Sequence, residues 1–498
     1  MKGTFLYLCK IVALKKHGIL FFITIIKDLE SDVYIKCLIN AFLIKLTSKR
    51  LQEDLEDPRG GHPSKRFQEA KYVYAENYGC TANKFDLEIM LGQLKAEGYR
   101  LSDDLEKTDI ILINTCGVKK PTEDRIIERI RYLSRLNKPL IICGCLPRIN
   151  PKAIQKAAPN FAAMLDPRSV DRIVKAVRFA ENGGKNIFFF SDNPPPKLSQ
   201  PMLRLSRVIE IIAISEGCLG NCAYCCVRFA RGRLHSFPKG EIVEKVEKAV
   251  SEGIKEIWLT SQDSGAYGMD INTNLAELLN ECSEISGRFM IRVGMMNPNH
   301  VLGILPELVN SFKSKKIFNF LHLPVQSGDD KILKKMNRRY TVEEFKKAVN
   351  AFRREIPDLT LSTDIICGFP GEDSTAFENT IRLIKEVKPD IVNISRFFPR
   401  PGTPAEKMKQ LDVKVIKSRS RRLSEIVRGI SHERNKRWLG WEGKILVDEK
   451  GKGSSWIGRN TAYKPIVVKS KENLLGRFLK VKVTKAFSTY LEADIVKD

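Results

Sequence analysis

Apolar runs alternating with helical stretches constrain this chain more than any other feature. The first series comprises "KYVYAENYG" (71–79), "DIILINTC" (109–116), "KPLIICGC" (138–145) and "FAAMLD" (161–166). Helices are predicted over 83–97 and 121–136, the second with Pro and acids in its first turn. The second series comprises "VIEIIAIS" (208–215), "EIWLTSQD" (256–263), "FMIRVGMM" (289–296), "FNFLHLPV" (318–325), "TLSTDIICGF" (360–369) and "IVNISRFF" (391–398). Near-continuous apolar strands separated by helices belong to parallel sheets covered on both faces. The fold class is therefore α/β. A small parallel domain is predicted over 71–180, and six βα units, a (βα)6 partial or complete TIM-type barrel, over 206–437. Such a barrel carries its chemistry at the C-terminal ends of its strands.

The remaining segments fill out the domain plan. "NPPPKLSQP" (193–201) marks a linker within 181–205. Residues 407–437 read as one long basic helix. Short alternating strands with Gly-bearing turns follow over 438–498 ("GKILVDEK", "YKPIVVKS", "FLKVKVTKAF"), as in a small OB-like β-barrel. Residues 1–70 have no clean period and read as an extension, either an accessory segment or the result of a start codon placed too far upstream. Their basic-then-apolar start has a signal-peptide look. No small-residue cleavage site follows it, and "ILFFITII" is too short to span a bilayer. The chain of 498 residues carries a formal net charge of +25, which favours a polyanionic partner, usually nucleic acid. Its 12 cysteines cluster in turn-rich motifs, as expected of metal or redox roles in a reducing cytoplasm rather than a secreted disulfide framework.

The densest cysteine cluster is "SEGCLGNCAYCCV" (215–227). Cys218, Cys222 and Cys225 form C-x3-C-x2-C on a loop just after a strand. Three thiolates there can ligate three irons of a four-iron cluster and leave the fourth iron open. Tetrahedral zinc would want a fourth Cys or His at matching pitch. Cys226 reads as a packed thiol, and Tyr224 as a cover between the ligands and water. Upstream, Cys80, Cys116 and Cys145 each sit at a predicted strand end. Strand ends of one parallel sheet converge, so the three thiols could meet on one face. Singly each reads as a small buried hydrophobe; together they favour a second cluster. Cys143 alternates with Cys145 and should point to the other face. Cys282 and Cys367 read as core.

Other polar residues mark the barrel mouth. Gln262 and Asp263 end the second strand, and His322 and Gln326 bracket another strand end. Arg292 lies within an apolar strand and needs a partner, such as a carboxylate or phosphate; Arg396 raises the same question. In the terminal barrel, Trp441, Trp456, Tyr463, Phe478 and Phe487 divide between core and surfaces able to stack bases.

These motifs, with "ARGRLHSFP" (230–238), "LTSQDSGAYG" (259–268), "HLPVQSGDDKILKKMNRRYT" (322–341), "DIICGFPGED" (364–373) and "RFFPRPGTPA" (396–405), resemble the radical S-adenosylmethionine (SAM) methylthiotransferases. The last 60 or so residues resemble the TRAM RNA-binding domain. The wording of "GCTANK", "NTCGVKKPTEDR" and "ARGRLHSFP" is most similar to the archaeal and eukaryotic branch. That branch converts N6-threonylcarbamoyladenosine at tRNA position 37 to its 2-methylthio derivative. The resemblance implies two [4Fe–4S] clusters, held by Cys218, Cys222 and Cys225 and by Cys80, Cys116 and Cys145, with two SAM per turnover. It also implies tRNA, an electron donor and a sulfur source as partners, and no membrane. Methylthiolation of isopentenyladenosine tRNA or of a ribosomal protein, and a non-catalytic iron–sulfur RNA-binding role, are the alternatives.

Overall fold

The computed structural model describes residues 71–496 and, before them, two strands, Ile11–Lys16 and Ile19–Thr24, which pair antiparallel. The remainder of 1–70, with the question of its origin, lies outside the described residues.

From Tyr72 the chain builds a six-stranded parallel sheet. Its order is Arg100–Ser102, Tyr72–Asn77, Ile110–Thr115, Leu140–Gly144, Ala163–Leu165, Ile187–Phe189. The four inner strands are those the apolar runs predict. The two edge strands have three residues each, too short to register as a run. Ile110–Thr115 is buried at every position. Its side chains alternate between two layers. Ile110 and Leu112 pack with Phe85, Ile89 and Val177, whereas Ile111 and Ile113 pack with Ile126, Ile130 and Ile154.

The barrel is built of two three-stranded parallel sheets. One joins Ile209–Ala213, Glu256–Thr260 and Met290–Val293; the other joins Phe320–His322, Thr360–Cys367 and Ile391–Arg396. A backbone bridge between Ile291 and Ile317 links them. Among the described residues the end strands Ile209–Ala213 and Ile391–Arg396 do not pair, so the barrel is open on that side.

The helix Val413–Lys436 lies against Ile391–Arg396 and leads into a closed five-stranded barrel. Two of those strands, Ser455–Arg459 and Leu491–Ile495, join the three that the sequence predicts. The turn before its third strand packs against the start of the large barrel's second sheet. Asn319 N donates to Thr461 O (2.8 Å), and the Tyr463 ring sits 4.7 Å from Phe318 and 5.2 Å from Phe320. Residues 193–201 are held down rather than loose: Lys197 is 1% exposed, and Leu198 O accepts from Lys245 Nζ (3.3 Å). No helix among the described residues is long and apolar enough to cross a membrane.

Candidate functional site

After Ile209–Ala213 the backbone makes a two-residue antiparallel pairing, Ser215–Glu216 with His235–Ser236, and then turns sharply. Gly217 takes φ +77°, and a Cβ there would lie 1.9 Å from Arg233 O, so only glycine passes. The loop that follows carries Cys218, Cys222 and Cys225. Gly220 N donates to Cys218 Sγ (3.2 Å). A Cβ on Gly220 would stand 3.2 Å from Cys218 Sγ and 3.7 Å from Cys222 Sγ, so its missing side chain leaves room between two sulfurs. Gln262 Oε1 accepts from Gly217 N (2.6 Å). Arg338 Nη1 lies 3.4 Å from Cys222 Sγ, and Ala223 N donates to Met336 O (2.9 Å). The "KKMNRRY" segment thus backs the loop. Asp263 accepts from Asn297 N (2.9 Å) and pairs with His300 Nδ1 (2.7 Å), a loop-capping arrangement. Tyr224 sits edge-on to Phe369, between Cys222 and Cys225 in the loop.

Cys80, Cys116 and Cys145 follow three adjacent strands. Cys80 is the residue before the helix Thr81–Ala96, and Thr115 lies opposite Gly144 in register. Asn83 gathers the group: its Oδ1 is 3.5 Å from Cys80 Sγ and 3.8 Å from Cys145 Sγ, while its Nδ2 donates to Thr115 O (2.9 Å). Cys143 points the other way, into the apolar layer with Leu87 and Leu112. Cys226 is buried between the two loops, donates to Gly117 O (3.4 Å) and packs on Cys145 and Ile149. Cys282 and Cys367 are fully buried. All cysteines among the described residues are free thiols.

Burial pushes Cys116 and Cys218 up to about 11 and Cys225 up to about 12; it raises Cys145 further against the opposing Arg231 charge. At neutral pH these groups hold their protons, and a metal that bound them would displace those protons. Among the described residues no three Cys, His, Asp or Glu side chains meet at one ion-sized point. Cluster ligands bind separate irons and need only face one space. Two thiols at the Gly220 gap, Cys218 and Cys222, with Cys225 on the same loop, fit that requirement.

The two triads are joined by buried charge that the sequence reading missed. Arg231 donates to Asp86 (2.6 Å), Glu216 (3.1 Å) and Asn83 Oδ1 (3.3 Å); Lys197 pairs with Asp86 (2.6 Å) and Glu216 (2.9 Å). Arg400, in the "RFFPRPGTPA" segment, pairs with buried Glu123 of the sheet domain. At the mouth, His322 Nε2 meets Asp364 Oδ1 (3.1 Å), which also accepts from Asn393 (2.8 Å). Burial tends to raise Asp364, but His322, Asn393 and Lys119 hold it below the usual carboxylate range. Gln326 takes φ +69°, an uncommon conformation for a non-glycine residue.

The Arg292 guanidinium lies against three rings, Trp258 (4.9 Å), Phe320 (5.2 Å) and Tyr463 (5.3 Å). Ring faces supply the attraction a counter-ion would. Tyr463 also donates to Glu256 (3.0 Å), whose burial lifts its carboxyl to about 8. Arg396 donates to Ser420 on the basic helix (2.8 Å). Of the five aromatics assigned to the terminal barrel, Trp456 and Tyr463 are buried, Trp441 packs on the core and Phe478 lies under Arg288. Phe487 is exposed and stacked on Tyr490 at 4.5 Å.

Three family models match: the radical SAM superfamily over 212–384, the uncharacterized protein family UPF0004 over 72–166, and the TRAM domain over 437–496. The chain is 47% identical to the probable threonylcarbamoyladenosine tRNA methylthiotransferase of Pyrococcus horikoshii, covering 85% of this chain and 99% of that one. It is 34% identical to the threonylcarbamoyladenosine tRNA methylthiotransferase of Homo sapiens, covering 91% and 78%. The chain belongs to the threonylcarbamoyladenosine tRNA methylthiotransferase family. Among solved structures, the radical SAM methyltransferase TsrM of Kitasatospora setae is similar with TM-score 0.50 and 14% identity, covering 68% of this chain and 77% of that one. That likeness is one of fold. The radical SAM superfamily carries SAM and a [4Fe–4S] cluster, and the Cys218 loop lies within the matched region.

Proposed function

We propose that this methylthiotransferase replaces the C2–H of adenine in tRNA N6-threonylcarbamoyladenosine with C2–SCH3, using two SAM and two [4Fe–4S] clusters. The carrying observation is that two thiol triads, one in each α/β unit, lie on either side of a single buried layer formed by Cys226, Asn83 and Arg231.

In this reading Cys218, Cys222 and Cys225 hold the cluster at which SAM docks, and Cys80, Cys116 and Cys145 hold the second. A reduced cluster with SAM supplies the carbon radical needed to take hydrogen from an unactivated C–H. The chain's own residues do the positioning. Gly217 and Gln262 fix the barrel loop, while Arg338, Tyr224 and Phe369 shield its sulfurs. Lys119 from the sheet domain and Asp364, His322 and Asn393 from the barrel set the polarity of the mouth. An electron donor and a sulfur source complete the reaction.

tRNA would lie on basic surface outside the mouth. On Val413–Lys436, buried Ile416, Leu423 and Ile430 face inward and exposed Lys414, Lys417 and Arg428 face out. Exposed Lys444 and Lys480 are neighbours on the terminal barrel, and Phe487 with Tyr490 offers a ring face. Phosphate contacts position; the extruded base is read in the mouth.

The test is nucleoside mass spectrometry of host tRNA with and without the gene. Loss of 2-methylthio-N6-threonylcarbamoyladenosine, with its precursor accumulating, is expected. An unchanged level of that nucleoside, or loss of a methylthiolated isopentenyladenosine instead, would overturn the reading.

A further inference from the structure

We infer that Arg231 is a positioning residue for the Cys80–Cys116–Cys145 cluster and ties that cluster to the radical loop. This rests on the two-cluster reading above.

Arg231 ends the short helix Val227–Arg231, which starts straight after Cys225 and Cys226. Its backbone therefore moves with the barrel triad. Its side chain serves the other one. It is 3% exposed and donates to Asn83 Oδ1, the same atom that lies within reach of Cys80 Sγ and Cys145 Sγ. Arg168 of the sheet domain locks the helix end by donating to Arg231 O (2.6 Å).

The charge count shows why an arginine is needed. Asp86 and Glu216 are matched by Arg231 and Lys197, all four buried, so the layer is neutral as two pairs. Lys197 faces the two carboxylates, and no bond joins it to a thiol among those described. Arg231 faces the carboxylates and, through Asn83 Oδ1, the Cys80 and Cys145 sulfurs. Its planar fork has enough donors for both, and a lysine point charge does not. When the thiols lose their protons to iron, Asn83 Oδ1 no longer has S–H donors to accept from. Arg231 remains as its donor and as the cation beside the thiolates. Without Arg231, two buried carboxylates face one ammonium beside an anionic cluster. Added negative charge stabilises the oxidised cluster, so the reduction potential falls.

The test uses full-length chain in which Cys218, Cys222 and Cys225 are alanine, reconstituted anaerobically so that iron reports only the N-terminal site. Arg231→Ala on this background should lower iron per chain and shift the midpoint potential, read by EPR-monitored titration, to more negative values. Arg231→Lys should restore part of the potential. Asn83→Ala, which leaves the ion pairs intact but removes the oxygen through which Arg231 reaches the sulfurs, should lower iron per chain without the negative shift and guards against a folding failure of Arg231→Ala. Iron present but unmoved in content and potential by Arg231→Ala, and in content by Asn83→Ala, would overturn the proposal alone. Absence of iron from the background chain itself would overturn the two-cluster reading, and the proposal with it.

Discussion

In the proposed two-cluster reading, the two cysteine triads would do the same job by opposite means. The barrel triad is local: one loop, three thiols, and a gap kept by the absent side chain of Gly220. The sheet triad is assembled by topology: Cys80, Cys116 and Cys145 are separated by whole helices and brought together because parallel strands end at one edge. A local site depends on its own backbone. A topological site depends on the sheet and, through Asn83 and Arg231, on the neighbouring barrel.

The largest effects come from breaking each triad in turn. Cys222→Ala and Cys145→Ala should each lower iron from about eight to about four per chain, one four-iron cluster apiece. Their products should differ. Cys222→Ala ends formation of 5′-deoxyadenosine from SAM, whereas Cys145→Ala retains it and loses thiomethylation. Iron analysis and chromatography of the products read both. A Cys145→Ala protein that keeps eight irons, or that no longer cleaves SAM, would merge the two sites into one.

Two glycines sharpen the contrast at the backbone. Gly217 (φ +77°) and Gly144 (φ +96°) both carry a conformation in which a side chain is strained by about 1–3 kcal/mol. A Cβ would meet Arg233 O at 1.9 Å in the first and Thr115 O at 2.3 Å in the second. Gly144 ends a central strand, so Gly144→Ala should lower the melting temperature of the whole unit and empty the sheet triad. Gly217 lies outside the main sheets, so Gly217→Ala should empty the barrel triad with a smaller melting shift. Calorimetry with iron analysis distinguishes them; equal melting shifts would mean that both loops are built into the sheets alike.

What the sequence made legible follows the same division. C-x3-C-x2-C is readable because its geometry is set by neighbours in the chain. The sheet triad was readable at one remove, because apolar runs locate strand ends. The charge layer was not readable. Arg231 meets Asn83 and Asp86 across 148 and 145 positions, and Lys197 meets Asp86 across 111, inside a Pro-rich stretch that reads as a linker. No periodicity marks a buried ion whose partner is in another domain. Arg292 shows a second blind spot. Composition announces that a charge in an apolar strand needs a partner, but only the packing of Tyr463 from the terminal barrel reveals that the partner is a set of rings.

The smallest effect tests whether the barrel loop is as self-contained as it looks. Gln262 Oε1 accepts from Gly217 N, and that residue is buried. Gln262→Ala leaves the amide without its acceptor, at a cost of about 1–3 kcal/mol. Asn83 bonds thiols directly and is placed to alter its cluster's iron content. The hydrogen bond Gln262 makes is to the Gly217 backbone, so its loss should loosen the loop and slow iron uptake without changing the sheet triad. The uptake rate is measured on chain whose Cys80, Cys116 and Cys145 are alanine. Gln262→Glu keeps an acceptor oxygen and should recover part of the rate lost in Gln262→Ala. Uptake unchanged by Gln262→Ala would show that Gly217 and the pairing with His235–Ser236 hold the loop unaided, and that the local site needs even less from its surroundings than the contact suggests.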